Sequence, residues 1–210
     1  STTLLIQDES LLKLAALSGC SGLLMGFESI TPGNLKSSLK GFNKPEYYGD
    51  VIRALHKHKI TLQACFTFGM DNDNIDIFMD TAKQAVEMKI DLPRFAIVTP
   101  FPGTPLYHRL NSEGRIITKD WELYDGQHVV FQPANMSSDD LLKGHEKAWK
   151  YTYSISSMYK RIFGSGIQIP ISIFANLGYR FYANHLHEYY NCDWITGFYP
   201  PKKKTIMSSV

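Results

Sequence analysis

The feature that most constrains this chain is an alternation of apolar runs with amphipathic stretches, joined by only a few residues. Gly22-Leu23-Leu24-Met25-Gly26-Phe27, Thr61 to Phe68 and Phe95-Ala96-Ile97-Val98 each read as a buried strand. Between them lie helical patterns. Asp8-Glu9-Ser10 opens one whose apolar positions are Leu11, Leu12, Leu14 and Leu17, with acids in the first turn to suit the helix dipole. Thr31-Pro32 supplies an N-cap and first-turn pair for a short helix through Leu35 and Leu39 towards Lys40. Pro45 opens another, with Tyr48, Val51, Ile52 and Leu55 on one face. Asp73 or Asn74 can cap a helix from Ile75 to Met88. Strands alternating with helices at such short spacing predict a parallel α/β sheet or barrel with right-handed crossovers. Three strands cannot close a barrel that needs eight. We therefore expect further strands from an upstream segment or a partner. Thr2 to Ile6 reads as the end of an earlier strand, which suggests a piece of a longer protein.

The third strand runs into Thr99-Pro100-Phe101-Pro102-Gly103-Thr104-Pro105-Leu106-Tyr107. Three prolines fix φ and remove three backbone donors, so neither strand nor helix continues through this turn. The result is a rigid, apolar, donor-poor ledge at the carboxyl end of a strand, where α/β folds bind ligands. A stiff connector without a ligand is the plainer reading. Gly26-Phe27-Glu28-Ser29 ends the first strand with a carboxylate and a hydroxyl, which suit a ribose diol or an amino group, or alternatively a cap or a barrel-mouth salt bridge. With Gly69 and the proline ledge, three strand ends converge on one mouth.

Beyond Gly114-Arg115 the pattern changes. His128 to Phe131 reads as one short strand. Ser137-Ser138-Asp139-Asp140 caps a long helix through Trp149, Tyr153 and Arg161. Gly164-Ser165-Gly166 breaks it, and Ile169 to Tyr190 is a second helix rich in aromatics, Asn and His. We place a domain boundary near Pro133, giving domains 1–132 and 133–210.

The 210 residues are 44% hydrophobic and 20% charged, with net charge +2. That balance argues against nucleic acid as the main partner, and Lys202-Lys203-Lys204 reads as a solvated tail. The longest apolar segment, Ile167 to Phe174, is too short and too broken for a membrane span. Cys20, Cys65 and Cys192 form no metal or disulfide spacing, which suits a reducing, cytoplasmic setting. Asp71-Asn72-Asp73-Asn74 starts like a calcium loop but carries Ile75, Asp76 and Ala82 where ligands and glycine belong. His56-Lys57-His58 and His185-Leu186-His187 place their rings on diverging helix faces, so no metal site is expected. There is no phosphate-binding or nucleophile motif.

Ser18-Gly19-Cys20 leading to Gly26-Phe27-Glu28-Ser29, then Lys40 with the Tyr47–His58 helix and Phe66-Thr67-Phe68-Gly69-Met70-Asp71, then Thr99 to Tyr107 with Glu113-Gly114-Arg115-Ile116 and Trp121, together resemble the second half of a radical S-adenosylmethionine (SAM) enzyme core. The similarity is greatest to members with an upstream cobalamin-binding domain and a helical C-terminal extension. The resemblance covers residues 8–131 and continues more weakly through Arg161 and Asn176-Leu177-Gly178-Tyr179-Arg180. It implies the C-terminal part of a partial (β/α)6 TIM-like barrel followed by a mostly helical extension, with SAM across the strand ends. Glu28 and Ser29 would hold its ribose and methionine parts, and Phe68, Gly69, Thr99, Pro100 and Phe101 its adenine. The family's three-cysteine loop for the [4Fe–4S] cluster is absent from this stretch, so the resemblance puts the cluster ligands in a missing N-terminal half and makes the segment inactive alone. It further implies 5′-deoxyadenosyl radical chemistry, with methyl transfer or rearrangement in the cobalamin-linked branch, on a hydrophobic small-molecule substrate. The alternative is a barrel remnant that binds or scaffolds without catalysis. Ordinary aldolase or hydrolase chemistry is weakened by the absence of a strand-end lysine, metal triad or nucleophile motif.

Overall fold

A computed structural model describes residues 8–38 and 40–186. The expectations for Thr2 to Ile6, Leu39, His187, Cys192 and the lysine tail lie outside those residues; the helix expected to run to Tyr190 ends at Asn184, with His185 as its C-cap. In chain order the elements are α1 (Glu9–Leu17), β1 (Gly22–Glu28), α2 (Pro32–Ser37), a 3-10 turn (Pro45–Tyr47), α3 (Tyr48–Lys57), β2 (Thr61–Phe68), α4 (Ile77–Glu87), β3 (Leu92–Ile97) and α5 (Pro105–Ser112). A second 3-10 turn (Trp121–Leu123) follows, then α6 (Ser138–Thr152), α7 (Ile155–Ser165) and α8 (Ile169–Asn184).

The three strands form one parallel sheet in the order β1-β2-β3, as the alternation with helices requires. Each strand alternates faces. Met25, Phe27, Leu62, Ala64, Phe66, Phe68, Phe95 and Ile97 are buried against helices, and Phe66, Phe68 and Phe95 stack across the strands. The opposite face carries Gly26, Cys65 and Arg94 in one register row and is only partly covered. One hydrophobic core runs from β1 to α8 across Pro133. At the α4–α6 crossing a Cβ on Gly144 would meet the Phe78 ring at 2.2 Å, so glycine sets how closely these helices approach.

Several local expectations change. In α1 only Leu12 is buried, while Leu11, Leu14 and Leu17 are 51%, 63% and 75% exposed. Helix α4 starts at Ile77, because Asp73 turns back to the strand end and Asn74 accepts from the Asp76 amide instead of capping further in. The predicted strand at His128 to Phe131 is a single antiparallel bridge, Ile116 to Phe131, flanked by hydrogen bonds from Ile117 to Val130 and from Gln132 to Arg115. The predicted long helix is two. The Ser154 hydroxyl accepts from the Ser157 amide at 3.3 Å and starts α7 afresh, a cap competing with helix continuation. At the start of α6 a reciprocal capping box between Ser137 and Asp140 is present.

The sheet's β3 edge is closed by side chains. Tyr153 donates to the Pro93 carbonyl at 2.8 Å, Trp149 Nε1 to the Phe95 carbonyl at 3.0 Å, and His145 Nε2 lies 3.1 Å from the same oxygen. The Ile97 amide donates to Gly126 at 2.6 Å. Below this edge the fully buried Arg161 donates to Asp91, Ile90 and Thr152 carbonyls and to Asn176 Oδ1, with its guanidinium over the Tyr153 ring. Burial depresses its pKa.

Candidate functional site

A cavity of about 600 Å³ opens at the carboxyl ends of the strands, a volume suited to a cofactor-sized ligand. Glu28 from β1, Thr67 from β2 with Gly69 just after it, and Val98 and Thr99 after β3 line it, with Lys40, Met70, Asp71, Leu106 and Arg109 around them. The three strand ends expected to share one mouth do so.

Glu28 dominates the polar wall. Thr67 Oγ1 donates to its Oε2 at 3.3 Å, and the Lys40 ammonium lies 3.6 Å from Oε1. Its backbone sits at φ 68°, a left-handed conformation that costs a residue with a Cβ about 1–3 kcal/mol and is often retained where function requires it. Gly69 has φ 94°, and a Cβ there would lie 2.9 Å from Leu141 and 3.2 Å from Phe131, so only glycine fits this strand end.

The other resemblance-derived residues take different places. Ser29 is buried behind the wall, where its hydroxyl accepts from the Thr31 amide at 3.0 Å and Asn34 Nδ2 at 3.4 Å. Asn34 in turn donates to Asp73 at 2.6 Å, and Asp73 accepts from the Gly69 and Met70 amides at 2.9 and 3.0 Å. This relay ties the end of β1 to the end of β2. Burial raises the Asp73 carboxyl above the usual range despite those bonds. Phe68 is in the core, stacked on Phe95 at 5.5 Å. Pro100 is buried and Phe101 is half exposed, and both lie outside the cavity lining.

Sequence reasoning missed the cluster at the rim. Asp71 pairs with Arg109 at 2.7 Å and Arg115 at 2.9 Å, and Glu113 pairs with both arginines. Burial pushes Asp71 up, but the Arg115 and Arg109 guanidiniums outweigh it and leave the carboxyl below its ordinary value. The charge series Asp71, Arg109, Glu113 and Arg115 was visible, but nothing in one sequence shows that the loop after β2 meets α5.

Among the described residues no group of three or more His, Cys, Asp or Glu is arranged to hold a metal ion. Cys20 and Cys65 are free thiols, and burial pushes Cys65 up, away from the thiolate that an iron–sulfur ligand requires. The described residues thus offer a cavity of cofactor size with a carboxylate on its wall, and do not supply a cluster ligand set. No helix among them is long and apolar enough to cross a membrane.

The contacts of the extension also bear on the cavity. Gln168 donates to the Ser21 and Lys59 carbonyls, and Arg161 to those of Ile90 and Asp91, all at the amino ends of the strands. These contacts place the start of α8 and the middle of α7 at the end of the sheet away from the cavity.

Comparison with known proteins adds independent information. Residues 104–192 match a domain of unknown function, DUF4070. The chain is 37% identical over 159 residues to the bacteriochlorophyllide d C-12(1)-methyltransferase of Chlorobaculum tepidum, covering 76% of this chain and 34% of that enzyme. It is 34% identical over 131 residues to the bacteriochlorophyllide d C-8(2)-methyltransferase of the same organism, covering 60% and 28%. To the anaerobic magnesium-protoporphyrin IX monomethyl ester cyclase of Cereibacter sphaeroides it is 24% identical over 156 residues, covering 73% and 24%. The chain spans about a third or less of the length of these curated relatives.

Proposed function

We propose, starting from a chain related to radical SAM methyltransferases and cyclases, that residues 8–131 form the carboxyl half of a partial (β/α)6 barrel that binds SAM at the strand-end cavity. The observation that carries this is Glu28, a carboxylate held in a left-handed backbone at the mouth of a cavity of cofactor size. Glu28 and Thr99 face the ligand, and Gly69 lines the cavity between them while packing against Leu141 and Phe131. Ser29 and Phe68 support that wall from behind, and Pro100 and Phe101 extend it at the adenine side. Bound there, SAM would supply a 5′-deoxyadenosyl radical, with methionine as the other product, given an electron from an iron–sulfur cluster. We place the cluster ligands, and a cobalamin domain serving methyl transfer, in parts of a longer protein outside these residues. The matched relatives bear names of tetrapyrrole enzymes. A planar, largely apolar tetrapyrrole is accordingly the substrate class we assign, entering from the partly covered sheet face. The reducing cytoplasm is the setting that such a cluster and the free thiols require.

The test is anaerobic reconstitution of the intact protein with iron and sulfide, followed by measurement of reductive SAM cleavage. We expect 5′-deoxyadenosine, with Glu28→Gln lowering its yield at sub-saturating SAM. SAM binding without any cleavage, in a gene lacking a three-cysteine loop, would instead make this a binding module.

A further inference from the structure

Glu28 does not hold its own conformation. β1 and β2 lose register between Gly26 and Glu28, and the Ser29 amide donates to the Phe27 carbonyl at 2.9 Å, closing a tight turn around residue 28. The two carbonyls that flank Glu28 turn away from the cavity to a single hydroxyl. Tyr48 Oη lies 2.6 Å from the Phe27 oxygen and 3.0 Å from the Ser29 oxygen, with one proton to share between them. Asn43 Nδ2 donates to the Gly26 carbonyl at 2.8 Å and lies 3.4 Å from that of Phe27. Both side chains are buried, and the Tyr48 ring stacks on Phe27 at 3.9 Å. Neither lines the cavity.

With the carbonyls of residues 26, 27 and 29 fixed, residue 28 is left in a backbone region that side chains rarely adopt. Its carboxylate then folds back over the strand. A Cβ on Gly26 would lie 2.6 Å from Glu28 Oε1, so Gly26 is the space the carboxylate occupies. Strain of this kind persists only where the surroundings over-determine it. Here the surroundings are two donors from the 3-10 turn region and the first residue of α3.

We infer that Tyr48 and Asn43 are positioning residues that preorganise the Glu28 carboxylate for the ligand of this cavity, with Gly26 providing its seat. Preorganised donors and acceptors bind more tightly because their ordering is complete before the ligand arrives. The inference rests on the proposal that the cavity binds SAM.

A double-mutant cycle tests it on the intact protein, by equilibrium dialysis of SAM without reductant, so that no turnover occurs. Tyr48→Phe removes only the hydroxyl and keeps the ring on Phe27. We expect it to weaken SAM binding about 5- to 30-fold, the effect of one lost polar contact, at temperatures well below its melting transition. Glu28→Gln should weaken binding by a similar factor. The double variant should be no weaker than Glu28→Gln alone, because Tyr48 acts through that carboxylate. Should Tyr48→Phe not fold, Gly26→Ala in the same cycle gives the same reading. A variant that melts earlier yet binds SAM normally would overturn the inference, as would losses that multiply in the double variant. Wild-type protein that binds no SAM would overturn the cofactor proposal itself, and this inference with it.

Discussion

The two edges of the sheet are finished in opposite ways. At β3, donors from Trp149 in α6 and from its C-cap Tyr153, with the His145 ring beside them, cover the strand carbonyls, and the Gly126 carbonyl takes the Ile97 amide. At β1 the described residues pair a strand on one side only, the side-chain donors Asn43 and Tyr48 reach carbonyls at its mouth end, Leu24 is 61% exposed, and the nearby α1 presents Leu11, Leu14 and Leu17 to solvent. A bare strand edge is normally blunted or covered. The helical extension therefore terminates the sheet at one side and leaves the other able to accept a strand. That asymmetry supports the partial barrel proposed above.

The largest expected effect is at the closed edge. Arg161→Ala removes the donor to three carbonyls and Asn176 and should destabilise the fold by about 3 kcal/mol or more, measured by chemical denaturation. Trp149→Phe keeps a ring but strips the N–H from the Phe95 carbonyl, with an expected loss of about 1–3 kcal/mol. At the mouth between the edges, Glu28→Gly relieves a left-handed backbone. We expect it to raise stability by about 1 kcal/mol while weakening SAM binding, since strain retained at a site trades stability for function. Leu14→Ser at the open side should change the stability of this chain by less than about 0.5 kcal/mol. A larger loss there would mean that the α1 surface is packed and that the comparison fails.

The closed edge also carries a signature in alkali. Burial raises the Tyr153 hydroxyl far above the ordinary phenol value of 10.0, and burial does the same to Tyr48. A raised folded-state pKa favours the neutral form, so this stability is fully present below pH 10 and is lost as pH rises beyond it. Tyr153→Phe should flatten the alkaline limb of a stability–pH curve. An unchanged limb would show that Tyr153 is not sealed against the Pro93 carbonyl.

How much of this was legible follows from the range of each interaction. The strands and their parallel order could be read because apolar runs, prolines and helix caps act within a few residues. So could the convergence of Glu28, Gly69 and Thr99, which depends only on strands ending at one side of a parallel sheet. The left-handed backbone of Glu28 could not, since donors 15 and 20 residues downstream impose it on a residue that does not favour it. The edge seal left a signal in the spacing of His145, Trp149 and Tyr153, which marks one helix face of ring side chains with polar tips. Periodicity alone reads such a face as core. The exposed leucines of α1 show the converse, a helical apolar pattern that the described residues do not bury.

The measurement that bears most directly on this account is hydrogen exchange across the intact protein, with and without SAM. Bound SAM is expected to add protection at residues 26–29, 67–71 and 98–101, the three strand ends around the cavity, with little change along α7 and α8. Protection confined to other segments, or none at saturating SAM, would contradict it.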